Sequence, residues 1–219
     1  MKRIQIVIVG GGAGGLELAR RLGSHFRRQT HDILLIDKNR THIWKPLLHE
    51  VATGSLDANL DEVGYGGHGI RWGYRFFNGT LSGIDREKKV VLTDPLHDDN
   101  GKEIISAREI NYDYLVLAVG GISNDFNIPG VKNHAMFLEN RKQADNFRAR
   151  LLNACFKVSH TSLKGDDLPV VDLVIVGGGA TGVELSAELL NVASSLRHYG
   201  LTDFDLSLIH ISEPTRQEV

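Results

Sequence analysis

Runs of consecutive apolar residues, each stopped by glycine or by an acid, set the pattern of this chain. Ile6-Val7-Ile8-Val9 runs into Gly10-Gly11-Gly12-Ala13-Gly14-Gly15, and Ile33-Leu34-Leu35-Ile36 ends in Asp37. Unbroken apolar runs of this length predict strands buried on both faces, as in parallel sheets. Between them Leu18, Leu22 and Phe26 recur every four residues, which predicts a helix from about Gly14 to Phe26 with one side on the sheet. Strand, helix and strand in that order require parallel pairing and a right-handed crossover.

Further along, Pro46 is suited to the first turn of a helix that Gly54 ends. Residues 64–73 are rich in glycine and predict an irregular segment. Short β runs follow at Tyr74–Phe77, Thr80–Ile84 and Lys89–Thr93, and Asp98-Asp99-Asn100-Gly101 is a turn signal with Glu103–Ser106 as a returning strand. Asp113–Val119 reads as another buried strand closed by Gly120-Gly121. Asn140–Ser159 has helical periodicity with Ala144, Phe147, Leu151 and Phe156 inward, and Ser162–Asp167 reads as a polar linker. From about Pro169 the opening device returns. Val174-Ile175-Val176 runs into Gly177-Gly178-Gly179-Ala180-Thr181-Gly182, and Leu185, Leu189, Val192 and Leu196 share one face of the helix that follows.

The glycines carry the chemistry. Gly10, Gly12 and Gly15 sit at the G-x-G-x-x-G spacing of a dinucleotide-binding turn, where free helix N-terminal N–H groups face a pyrophosphate. Alone this is a weak signal, because glycine turns also arise for steric reasons. Asp37 strengthens it, lying roughly twenty residues on, where a carboxylate that binds a ribose is expected. The repeat at Gly177, Gly179 and Gly182 strengthens it further. Two dinucleotide sites in one chain imply electron transfer between two cofactors.

Composition narrows the class. The 219 residues are 42% hydrophobic and 24% charged, with a formal net charge of −2. That suits a soluble globular protein and gives no reason to expect nucleic acid; Arg20-Arg21 and Arg27-Arg28 read as solvated pairs. No apolar leader or spanning run is seen, which places at least the N-terminal part in the cytoplasm. The single Cys155 excludes an internal disulfide or a paired-thiol redox centre and reads as a small buried residue on a helix. His42, His49 and Glu50 make no convincing metal set, so no metal is expected.

Five stretches together resemble the type II NADH dehydrogenases. These are the first glycine loop with Leu16-Glu17, Trp44–Leu56, Asp113–Gly121, Asn124-Asp125-Phe126 with Pro129-Gly130, and Gly177–Leu185. The family comprises respiratory-chain flavoproteins with two dinucleotide-binding domains that transfer electrons from NADH through FAD to quinone. The resemblance implies an α/β fold. It would have a Rossmann-like FAD-binding domain, with a parallel sheet and a β-meander, over residues 1–165. The start of a second, NADH-binding domain would occupy residues 166–205. It further implies that Gly10, Gly12, Ala13, Gly14 and Gly15 hold the FAD pyrophosphate and Asp37, with Lys38 beside it, the adenosine ribose. Lys45, Pro46 and Thr53 match a segment along the flavin, and Ala118 and Gly120 a strand end beside it. Gly177, Gly179 and Gly182 would hold the NADH pyrophosphate. Glu184 matches an acid near the nicotinamide–flavin stack, although a solvated helix carboxylate explains it as well. Disulfide reductases of the superfamily carry a cysteine pair past the second strand, and this chain has none there, so electrons would leave the flavin directly for an external acceptor.

The resemblance stops near Asp205. Leu206–Arg216 reads like the in-frame translation of a sequencing-library adapter, and residues 206–219 are set apart as a non-native tail, although its alternation permits a strand over Leu206–Ile211. The expectation is therefore a truncated reading frame of poor stability, with partial FAD binding and little quinone reductase activity. The intact parent would be a peripheral protein on the cytoplasmic membrane face, held by a C-terminal part and able to form a homodimer. Two other readings stay open: a flavin reductase serving a redox protein or oxygen, and a dinucleotide-binding redox sensor without turnover.

Overall fold

A computed structural model of the chain describes residues 2–160, 171, 173–198 and 209–212. In order the elements are β1 (Ile4–Val9), α1 (Ala13–His25), β2 (His31–Asp37), β3 (Thr41–His42), a 3-10 turn (Lys45–Leu47), α2 (Leu48–Thr53), α3 (Ala58–Asp61), β4 (Val63–Gly64), α4 (Tyr65–Trp72) and β5 (Arg75–Asn78). They continue as β6 (Leu81–Asp85), β7 (Val90–Thr93), β8 (Leu96–His97), β9 (Glu103–Ile105), β10 (Arg108–Asn111), β11 (Tyr114–Leu117), α5 (Val131–His134), α6 (Arg141–His160), β12 (Leu173–Val176), α7 (Ala180–His198) and β13 (Ile209–Ser212). They fall into two compact units interleaved in sequence. The first is Met1–Trp44 with Glu62–Ile122, and the second is Lys45–Asp61 with Ser123–Val219.

The first unit is built on a parallel sheet of order β11-β1-β2-β5. Ile6 pairs with Ile33 on one side and Tyr114 on the other, so β1 is central. Its apolar run is continuous because both faces of the sheet are covered. Ile6, Ile8, Ile33 and Leu35 pack with Ala19, Tyr65 and Tyr74 on one face. Val7, Val9, Leu34 and Ile36 pack with Val91 on the other, where Phe77, Leu81 and Ile110 join them. That second cover is an antiparallel sheet of order β10-β7-β6, the expected meander. Between β2 and β5, the buried Asp32 carboxylate accepts two bonds from Arg75, at 2.8 and 2.6 Å.

Three expectations need correction. Residues 64–73 are not irregular: α4 is a helix, closed by Gly73 at φ +88°. Helical glycine costs about 1 kcal/mol each relative to alanine. Here close packing offsets the cost, since a side chain at Gly69 would meet the Tyr74 carbonyl at 2.7 Å and one at Gly23 the Trp72 carbonyl at 2.5 Å. Next, β11 is not buried along its length. Among the described residues it pairs with β1 alone, and Tyr114 and Leu117 are exposed. The inward residue near the end of α6 is Cys155, while Phe156 is exposed. The β run expected at Tyr74–Phe77 is β5, which extends the parallel sheet beside β2.

In the second unit α2 packs against α6 and α7. Leu48, Val51 and Ala52 are buried on α2, Ala144, Leu151 and Cys155 on α6, and Leu185, Leu189 and Ala193 on α7. The helix that starts after Pro46 ends, as expected, at Gly54 with φ +87°. β12 pairs in parallel with β13, Val174 opposite His210. The linker over Ser162–Asp167, the start near Pro169, and Leu206–Leu208 lie outside the described residues. Among those described, no helix is long and apolar enough to cross a membrane.

Candidate functional site

The first glycine loop leaves β1 at Gly10, whose φ of +102° is left-handed territory that other residues avoid. The Gly10 N–H donates to the Ile36 carbonyl at 2.8 Å, which ties the turn to β2. A side chain at Gly10 would meet the Ala118 carbonyl at 2.3 Å, and one at Gly15 the Gly10 carbonyl at 1.8 Å. These positions are filled by packing. Gly12 is the opposite, since a side chain there would meet nothing within 4 Å. α1 starts with no side-chain cap and no acid in its first turn, and its first backward bond is Leu16 N–H to the Gly12 carbonyl at 2.9 Å. The N–H groups ahead of Leu16 therefore precede the helical ladder and carry the positive end of its dipole. They surround open space at Gly12, which suits an anion.

Two side chains secure this loop from behind. Asp37 accepts the Gly11 N–H on one carboxylate oxygen at 2.6 Å and the Asn39 N–H on the other at 2.7 Å. Tyr65 is buried and donates its hydroxyl to the Gly11 carbonyl at 2.7 Å. Burial, helped by the Asp37 charge, pushes the Tyr65 phenol far above its ordinary range. The Asn78 amide donates to the carbonyls of Asp37 and Lys38, at 3.0 and 2.9 Å, and Lys38 itself is exposed. Ala118 N–H donates to the Val9 carbonyl at 2.7 Å, and Gly120 beyond it takes φ +72°. The structure thus gathers Gly10–Gly15, Asp37 and Ala118. Sequence reading missed Tyr65, which sat in a stretch read as irregular. Its signal was one aromatic among glycines.

The second unit repeats the device. Gly177 has φ +113°, a side chain at Gly182 would meet the Gly177 carbonyl at 2.1 Å, and Gly179 faces open space. Val183 N–H makes the first backward bond of α7, to Gly179 at 3.1 Å. One turn on, Glu184 is about half exposed, its Oε2 3.5 Å from His49 Nδ1. The other ring nitrogen of His49 lies 3.8 Å from Glu50. His49, set aside in the sequence as a metal ligand, therefore sits between two carboxylates. Ser55 donates to Glu188 on the same helix pair. Thr53 is buried, and its hydroxyl reaches the carbonyls of His49 and Glu50 at 3.1 Å each. Lys45 and Pro46 lie on the 3-10 turn that leads into α2, where no residue is buried. Cys155 is buried, which raises its thiol pKa. Among the described residues no group of three His, Cys, Asp or Glu could hold a metal.

A parallel strand that turns on a left-handed glycine into a helix, built twice, defines a dinucleotide-binding α/β protein. The sequence profile of the pyridine nucleotide-disulphide oxidoreductases matches residues 4–213, and the chain belongs to that family. It is 43% identical to a type II NADH:quinone oxidoreductase of Haemophilus influenzae, over 94% of this chain and 49% of that protein. It is 28% identical to a mitochondrial external alternative NADH-ubiquinone oxidoreductase of Yarrowia lipolytica, over 84% of this chain and 31% of that one. The fold matches that of NDH2 from Plasmodium falciparum in complex with NADH, with a TM-score of 0.79 and 24% identity, over 97% of this chain and 42% of that one. The chain spans about half the length of the bacterial relative.

Proposed function

We propose that the chain is the nucleotide-binding part of an NADH:quinone oxidoreductase that uses FAD. The observation that carries this is the pair of matching glycine loops, each with a left-handed first glycine, an open middle one and a last one packed on the first one's carbonyl. The open position at Gly12 is where a diphosphate fits. Gly10, Gly12, Ala13, Gly14 and Gly15 hold it, with Asp37 and Lys38 toward the ribose and Ala118 and Gly120 along the same strand end. When bound, FAD supplies a ring that takes a hydride and gives up two electrons. Lys45, Pro46 and Thr53 line its flavin side. Gly177, Gly179 and Gly182 hold NADH, and Glu184, steadied by His49, orients the nicotinamide. Residues 1–165 serve FAD and residues 166–205 begin the NADH part, with β13 of the tail over residues 206–219 paired to β12. With Cys155 the single cysteine, no thiol pair relays the electrons, so they pass to quinone directly. The whole protein works as a peripheral protein on the cytoplasmic membrane face and as a homodimer.

The test has two stages. The 219-residue chain is titrated with FAD and uptake is read by fluorescence. A chimera, completed with the second half of the Haemophilus relative, is then given NADH without oxygen and its flavin absorbance is followed. Bleaching followed by turnover with a quinone analogue is expected. FAD uptake without bleaching sinks hydride transfer, and turnover with ferricyanide alone reassigns the acceptor.

A further inference from the structure

The Gly11 peptides are held by side chains on both sides, and the consequence concerns Gly12. In a trans peptide the C=O of one residue and the N–H of the next point in opposite directions. Tyr65 draws the Gly11 carbonyl inward with a 2.7 Å bond, and Tyr65 is only 2% exposed. The N–H of Gly12 must then point outward, at a residue whose own side chain would meet nothing within 4 Å. Gly11 is buried while Gly12 and Ala13 are exposed, so the change from inside to outside falls at this peptide. On its other side, Asp37 holds the Gly11 N–H at 2.6 Å, which fixes the preceding peptide as well. The Tyr65 ring also fills the space a Gly11 side chain would need, 2.5 Å from that position.

We propose that Tyr65 is a positioning residue of the diphosphate site: its hydroxyl locks the Gly11 carbonyl and thereby aims the Gly12 N–H at the bound cofactor. This rests on the reading of the first loop as the FAD site. Without the hydroxyl the Gly11–Gly12 peptide is free to turn over, and binding must then restore its orientation.

The test is an FAD titration of the 219-residue apoprotein, as wild type, Tyr65→Phe and Tyr74→Phe. Tyr74 belongs to the same core cluster, but its hydroxyl bonds to His68 at 2.9 Å and to the Tyr65 backbone carbonyl at 3.5 Å, with no bond to the loop. Tyr65→Phe should raise the FAD Kd about tenfold, equal to about 1.4 kcal/mol. Tyr74→Phe should lower the melting temperature comparably and leave the Kd within about twofold, well short of that tenfold step. Amide exchange on the wild type gives a second reading that needs no variant. The Gly11 N–H should be protected with and without FAD, and the Gly12 N–H only with it. An unchanged Kd in Tyr65→Phe overturns the inference, as does a Gly12 amide already protected in the apoprotein. If the wild type takes up no FAD, the cofactor reading fails first, and the inference falls with it.

Discussion

The two glycine loops have nearly the same backbone and very different surroundings. Gly10 and Gly177 have φ of +102° and +113°, and the glycine five residues on approaches each carbonyl closely in the same way. Yet β1 lies between β2 and β11 with Val7 and Ile8 fully buried, whereas Val174 and Val176 on β12 are 60% and 74% exposed. Among the described residues β12 pairs only with β13. A strand–glycine–helix turn therefore forms from its own residues, and the burial of its strand is a separate property that depends on neighbours. Anion binding at the helix start needs the turn and, in the first loop, the Tyr65 bond that orients it, whereas stability needs the covered sheet.

Three experiments would break or sharpen this comparison. The largest effect is expected at the helix–turn contacts. Gly15→Ala places a methyl on a carbonyl inside a sheet that cannot give way, and should cost about 3 kcal/mol or more and abolish FAD uptake. Gly182→Ala makes the same clash beside a strand with exposed flanks. It should cost clearly less in a urea melt and leave FAD uptake intact. Equal losses would show that β12 is held as rigidly as β1. Next come the strands themselves. Val7→Ala should cost about 2 kcal/mol, while Val174→Ala should cost less than about 0.5. Similar values at the two sites would mean that Val174 is covered in solution.

The smallest effect is a pH dependence confined to the first unit. Burial pushes the Tyr74 phenol up from its ordinary value near 10 to about 12. Between these values the folded chain keeps a proton that the unfolded chain releases. Stability is therefore intact below pH 10 and falls as pH rises toward 12. Tyr65 is shifted the same way, also by burial first, and adds to the fall. Denaturant melts across this range should show the loss, and it should shrink in Tyr74→Phe. A flat profile would place Tyr74 in contact with water.

Several features were legible in the sequence because they depend on neighbours along the chain. The apolar runs predicted β1, β2 and β12. The glycine spacing predicted both turns, since φ near +100° and a carbonyl at 1.8 or 2.1 Å leave room for no other residue. The glycine ending α2 and the turn at Asp98–Gly101 were legible for the same reason.

Other features were decided only by contacts between segments far apart in the chain. α4 reads as a loop because glycine is a poor helix former, yet Gly69 lets it sit on the Tyr74 backbone, and Gly23 of α1 lets that helix sit on the Trp72 carbonyl. The exposure of Tyr114 depends on which strands flank β11, and a strand's own residues do not encode its neighbours. Tyr65 reaches Gly11 across 54 residues, and His49 meets Glu184 across a longer span. Spacing and periodicity describe one element at a time. They can show that Gly12 must be bare, but only the packed core shows which side chain turns its N–H outward.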